Sequence, residues 1–181
     1  MAVLNVAFIG SESLAKKIAK KGDVRDIESY VYKEVRDGEI KIISLLRPLK
    51  HPEKIRPLLS VLNVAKAGII EISKIDSATG EICVSFGCTG IKNGLVIINS
   101  QDGDWIDPDQ VRIILEQSGL ENWKLYEQVP DEHIIREDLF ALMEERETDD
   151  SSLILPVDQF FNVKGVGLVA IGYVQSGIVS K

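Results

Sequence analysis

The chain has 181 residues and a formal charge of −7, from 28 acidic against 21 basic side chains. With 45% apolar and 27% charged residues it has a globular balance, which excludes a disordered or collagen-like chain. No apolar run approaches the roughly 20 residues needed to span a bilayer. The apolar start, residues 1–10, has no basic leader and no small-residue cleavage site, so it is expected to be a strand and not a signal peptide. Cys83 and Cys88 are spaced for neither a disulfide framework nor a CxxC metal site, and are expected to be reduced and buried in a cytoplasmic protein.

Taken in chain order, residues 4–9 (LNVAFI) are a nearly continuous apolar run ending at Gly10, the pattern of a parallel strand covered on both faces. Residues 11–21 read as a helix with Leu14, Ile18 and Lys21 on one side, closed by Gly22. Residues 27–35 and 39–46 are rich in β-branched and aromatic side chains, and Asp37-Gly38 between them signals a hairpin. Pro52 is expected to open a helix running to Ala65, with Ile55, Leu58, Leu59 and Leu62 as its apolar stripe. Residues 68–72 and 95–98 are apolar strands, and Ile82, Cys83 and Phe86 between them make a helical stripe within 79–89. Asp107-Pro108-Asp109 is a helix start that combines a capping carboxylate, a first-turn proline and an acid against the helix dipole. That helix ends at Gly119; residues 124–129 form a short strand, and Asp131 caps an acidic helix running to Arg146. In this helix Ile134, Ile135, Leu139, Leu142 and Met143 fall on one side, leaving a solvated acidic face.

The alternation of strands and helices over residues 1–146 predicts an α/β domain, a mostly parallel sheet with helices on both faces. Residues 147–152 (ETDDSS) read as a linker. Residues 153–181 then carry dense valine and isoleucine punctuated by Gly165, Gly167, Gly172 and Gly177, the texture of a β-barrel. A segment that short is not self-supporting. It is expected to be the beginning of a second domain: mobile, packed back on the first, or exchanged in a homodimer through its unpaired edges.

Charge is uneven. Residues 131–150 carry nine acids and two bases, which accounts for the whole net charge. Residues 11–22 hold Lys16, Lys17, Lys20 and Lys21 against Glu12, and residues 41–56 hold Lys41, Arg47, Lys50, Lys54 and Arg56 against Glu53. The acidic total argues against DNA binding but leaves room for a local anion site. A strand, a Gly-led turn and a helix are the setting of a phosphate-binding P-loop, G-x-x-x-x-G-K-[ST]. Here the window is residues 10–17, with Gly10 and Lys16 in place, Ala15 at the second glycine and Lys17 at the Mg²⁺-binding hydroxyl. A methyl at Ala15 crowds amides that would wrap a phosphate, and a lysine cannot ligate Mg²⁺. After the strand at 95–98, residues 99–102 (NSQD) are similar to the N-K-x-D guanine element, with Asn99 and Asp102 kept and Ser100 in place of lysine; residues 73–76 (SKID) are a competing match one strand too early. Asp102, Asp104, Asp107 and Asp109 do not have EF-hand spacing, His133 reads as a surface residue, and Trp105 and Trp123 read as packing anchors.

Residues 155–177 (LPVDQFFNVKGVGLVAIGYVQSG) resemble the opening of the second, β-barrel domain of translation elongation factors of the Tu and selenocysteine-specific type. The likeness is carried by Leu155-Pro156, an aromatic at Phe161, Val163-x-Gly165-x-Gly167 and Gly172-x-Val174-x-x-Gly177. Residues 62–72 and 79–98 are similar to archaeal-type, degenerate selenocysteine-factor-like proteins. The resemblance implies a GTPase-like domain over residues 1–146, and against that pattern the chain shows consistent losses. The metal-binding aspartate is replaced within Leu45, Leu46 and Arg47, and no D-x-x-G follows. His51 is only a loose counterpart of the water-positioning histidine, residues 22–38 contain no threonine, and no S-A-[KL] loop follows the last strand. Hydrolysis of GTP needs Mg²⁺ held by hydroxyl and carboxylate and a positioned water.

The expectation is therefore a translation elongation factor-like pseudo-GTPase with no catalytic residues and no metal site. Any GTP or GDP would bind weakly and without Mg²⁺, through Gly10, Ala15, Lys16, Lys17, Arg47, Asn99 and Asp102. The cations Lys16, Lys17 and Arg47 would stand in for the metal around phosphate or an RNA backbone, or else they pair with nearby acids such as Glu12. Expected partners are tRNA or the ribosome through the second domain, with no membrane and no DNA. The alternative is a protein-interaction scaffold that binds no nucleotide; a working GTPase is the least supported reading.

Overall fold

Strand β1 (Ala2–Ile9) sits in the middle of a seven-stranded sheet, as its unbroken apolar run requires. The computed structural model describes residues 2–100, 105–144, 152–172, 174, 176, 177 and 179, and the chain divides into two units, Met1–Glu144 and Glu145–Lys181. In the first unit β1 is followed by α1 (Glu12–Ile18), β2 (Lys20–Val24), β3 (Ile27–Arg36), β4 (Glu39–Pro48), α2 (Ile55–Val64), β5 (Ala67–Ile72) and α3 (Ser77–Gly87). Then come β6 (Gly94–Ile98), α4 (Pro108–Gln117), β7 (Lys124–Tyr126) and α5 (Glu132–Glu144). The sheet order is β2-β3-β4-β1-β5-β6-β7. Strands β4, β1, β5, β6 and β7 are parallel, while β2, β3 and β4 form an antiparallel meander at one edge.

Each face of the sheet has its own core. Leu4, Val6 and Phe8 of β1 point to one side, where Leu14 and Ile18 of α1 and Ile135, Leu139 and Phe140 of α5 close over them. On the other side Ala7, Ile70 and Val96 meet Leu58 and Val61 of α2, Phe86 of α3 and Val111 and Leu115 of α4. Helices on both faces of a mostly parallel sheet are the α/β architecture expected from the alternation of elements. The Trp123 ring packs closely over Gly68 and Gly94 because they have no side chain; a Cβ on Gly68 would stand 2.2 Å from its ring.

Several boundaries differ from the sequence expectations. The first helix stops at Ile18 instead of continuing to Lys21: Ala19 is already extended, and residues 20–24 pair with β3 as an extra strand. Pro52 follows a cis peptide bond in a turn, and the second helix starts three residues later. Its buried stripe is Pro57, Leu58, Val61 and Leu62, whereas Ile55 and Leu59 are about half exposed. Ile134 faces solvent instead of the core, and the strand at residue 124 is only three residues long. Cys83 is buried, and burial pushes its thiol up to about 11, but Cys88 is exposed at the end of α3. Trp123 is a packing anchor and Trp105 is not, with 79% of its surface exposed.

The second unit contains a hairpin of β8 (Val157–Val163) and β9 (Gly167–Gly172), extended by a bridge between Ile154 and Ser176. Gly165 and Gly167 have φ of +85° and +99°, backbone values that glycine adopts without strain and that let the chain reverse. Phe160, Val166 and Leu168 are each more than 60% exposed.

Candidate functional site

The carboxyl ends of β1, β4, β5 and β6 converge where a parallel α/β sheet ordinarily binds its ligand. Between β1 and α1 there are only two residues, Gly10 and Ser11. Ser11 caps the helix, its Oγ accepting from Leu14 N at 3.2 Å, and Ala15 N already donates to Ser11 O in the helical pattern at 3.2 Å. Residues 12–17 of the P-loop-like window are therefore helix, and their amides do not wrap around a ligand. Ala15 is fully buried among the core residues, so its methyl faces the sheet and no phosphate site.

The turn is occupied by the chain itself. Glu71, next to last in β5, follows Ile70, which pairs with Ile9. Its side chain shares the α1 face with Ile69, since Ile70 and Ile72 point to the other core. The carboxylate receives the backbone N–H of Ser11 on Oε2, and the Ser11 hydroxyl (3.1 Å) and the Asn99 amide on Oε1. A Cβ at Gly10 would lie 2.6 Å from Glu71 Oε2, so glycine is needed there to admit the carboxylate.

Two of the cations expected to surround a phosphate, Lys16 and Arg47, are tied to acids and a carbonyl. Lys16 pairs with Glu12 at 2.8 Å. Arg47 donates Nε to the Gly10 carbonyl at 2.7 Å and Nη1 to Glu28 at 2.8 Å. Lys17 is exposed, and its carbonyl accepts from Arg136 at 2.7 Å. Of the residues proposed to contact a base, Asn99 is bound to Glu71 and Asp102 lies outside the described residues. Gly10 and Asn99 are thus brought together around the Glu71 carboxylate, and Arg47 joins them only through the Gly10 carbonyl, while Ala15, Lys16 and Lys17 are not part of the group.

Behind Arg47 lies a buried charge cluster. Glu28 is 5% exposed and accepts from Lys21 (2.8 Å), Tyr30 (2.9 Å) and Arg47 (2.8 Å). Burial pushes the Glu28 carboxyl up, but the donors Lys21, Tyr30 and Arg47 outweigh it and leave it below the usual range. Burial, followed by the Glu28 carboxylate, raises Tyr30 to about 12. Glu12, held by Lys16 and Lys21, falls to about 2.

At the end of β4, Leu45 is buried and the β4–α2 turn carries His51, whose Nε2 is 3.6 Å from Glu81 Oε1. Among the described residues no three His, Cys, Asp or Glu side chains cluster as a metal site would. Residues 22–38, where the resemblance implies a switch segment, form the end of β2, all of β3 and the turn into β4 instead. A cleft of about 440 Å³, lined by Ser73, Lys74, Ile75, Trp105, Ile106 and Asp107, lies apart from this turn, and neither Gly10, Arg47, Glu71 nor Asn99 lines it. Glu71 and Glu28 do not stand out in the sequence as site residues. The available signal was an acid inside an apolar run (AGIIEI) and an acid on the inward register of β3, since buried charges are rare unless paired.

The fold is that of elongation-factor GTPase domains. A crystal structure of a bacterial selenocysteine-specific elongation factor superposes with a TM-score of 0.65 at 17% identity, covering 94% of this chain and 34% of that one. The elongation factor SelB of Methanococcus maripaludis, solved with the GTP analogue GppNHp, superposes with a TM-score of 0.59 at 17% identity, covering 96% and 42%. At that identity the likeness concerns the fold alone. An uncharacterised protein of Methanocaldococcus jannaschii is 31% identical over 177 residues, 97% of this chain and 54% of that protein, so the chain spans about half the length of this curated relative. No family model matches the sequence. Among the described residues no helix is long and apolar enough to cross a membrane.

Proposed function

We propose that Met1–Glu144 is a translation-factor-like domain that works without a guanine nucleotide, hydrolyses none, and serves as a scaffold for a tRNA- or ribosome-linked role of the whole protein. The observation that carries this reading is the Glu71 carboxylate seated in the β1–α1 turn, on the amide that a phosphate would need. Placing a nucleotide phosphate against a carboxylate at hydrogen-bond distance would set like charges together with no Mg²⁺ to separate them. The internally paired Lys16 and Arg47 support the same reading, because each would have to abandon an acid or a carbonyl to reach a ligand. The translation link is supported by the fold and by the glycine and valine pattern of β8 and β9.

The test is thermal unfolding of the whole chain with GDP, GTP and ATP, each with Mg²⁺ and with EDTA. A nucleotide present at about 100 times its dissociation constant would add about 2.7 kcal/mol and raise Tm by several degrees. The expected result is no shift with any of them. A guanine-selective shift in EDTA would restore Lys16, Lys17 and Arg47 as phosphate ligands, and a shift that requires Mg²⁺ would restore a metal site.

A further inference from the structure

We propose that Glu71 is a resident anion, a carboxylate of the chain that fills the β1–α1 turn as a ligand would and keeps this unit in a permanently liganded form. The proposal rests on the nucleotide-independent reading above and deepens it by naming what occupies the turn in place of a ligand. Three donors from two separate strand ends meet on one carboxylate: the Ser11 N–H, the Ser11 hydroxyl and the Asn99 amide. A carboxylate offers acceptors only, so its two oxygens match a set made only of donors. The parallel register places the end of β5 beside that of β1, and Gly10 supplies the space. On the far side of the turn Arg47 holds the Gly10 carbonyl, so both polar groups of this peptide corner are engaged within the chain. The ends of β1, β5 and β6 are thereby joined without any external ligand. In an open α/β sheet those are the strand ends beside which a ligand ordinarily binds. As long as the carboxylate stays in place, no exogenous anion reaches Ser11.

The experiment compares the wild-type chain with Glu71→Ala by thermal unfolding, adding acetate or inorganic phosphate against chloride at matched ionic strength. Removing the carboxylate leaves three donors without their shared acceptor, and Tm is expected to fall by roughly 5 °C. Acetate or phosphate should then restore at least half of the loss, chloride should not, and the wild type should respond to none of the three. The proposal is overturned if Glu71→Ala is as stable as the wild type, or if it is weakened and neither anion raises it. If Glu71→Ala does not fold, the near-isosteric Glu71→Gln takes its place. Its amide presents hydrogens to donors, so it should melt lower and ignore added anions; wild-type stability would show that no negative charge is needed and would end the proposal. A GDP shift in the wild type would overturn the nucleotide-independent reading and this proposal with it. A wild type blind to nucleotide beside a Glu71→Ala chain blind to acetate and phosphate would overturn this proposal alone.

Discussion

Glu28 shows how this fold handles charge at the scale of one residue. Its carboxylate is almost fully enclosed, and three donors from β2, β3 and β4 converge on it. Because the folded carboxyl lies below its ordinary value of 4.5, the stability it contributes is present above that pH and is lost as pH falls through the lowered folded value. Glu12, shifted to about 2, adds in the same direction between about pH 4.5 and 2. The wild type should therefore lose stability progressively below about pH 4.5. Glu28→Gln should start about 2 kcal/mol lower at neutral pH, since a buried charge-assisted set is broken, and should show a shallower acid limb. Urea unfolding of both chains from pH 7 to 3 measures this; parallel curves would assign the acid sensitivity elsewhere. Neither Glu28 nor Glu71 was legible as a site residue, because the contacts that tie them to the turn are distant in the chain: Arg47 lies 19 residues from Glu28, and Ser11 lies 60 from Glu71. The Asp107 and Asp131 caps were legible because each donor lies two residues ahead, at Asp109 and His133.

Elements were readable where the pattern was local and missed where tertiary pairing decided. The strand at residues 20–24 (KKGDV) has no apolar alternation, and it forms because its backbone pairs with β3 at the sheet edge, where charged side chains are tolerated. The helix α5 was recognised from its stripe, but its acidic face is more than solvated: Glu137 grips Arg36 and Asp138 pairs with Lys124 at 2.8 Å. In α2 the buried stripe differs in phase from the one the sequence spacing predicts. Four leucine and isoleucine positions suit a helical spacing, and only packing decides which of them turn inward. Leu58 is fully buried and Leu59 is 50% exposed, although both are leucines of one helix turn. Leu58→Ala should destabilise the unit by about 2–5 kcal/mol, and Leu59→Ala by less than about 0.5 kcal/mol. Equal losses in denaturant unfolding would mean that α2 packs in the phase read from the sequence.

At the scale of the whole molecule, the two units differ in how well they can sustain themselves. Met1–Glu144 closes a core on each face of a seven-stranded sheet, and its large side chains such as Phe8, Phe86 and Phe140 are almost entirely buried. In Glu145–Lys181 the described strands form one hairpin whose aromatic and aliphatic side chains are largely exposed. A two-stranded hairpin is marginal in water, and a segment below about 40 residues seldom buries enough surface to offset its chain entropy. The architecture of the first unit was legible because parallel strands and amphipathic helices write their burial into the sequence. In the hairpin the glycines revealed the turn but nothing revealed its cover. The fragment 1–144 should therefore fold alone, with a cooperative melt within a few degrees of the whole chain. The fragment 145–181 alone should give the circular dichroism of an unfolded peptide. A cooperative melt of the short fragment at micromolar concentration that sharpens with concentration would mean that it finds its missing partner in another copy. A long fragment that fails to melt cooperatively would mean that the first unit depends on residues beyond α5.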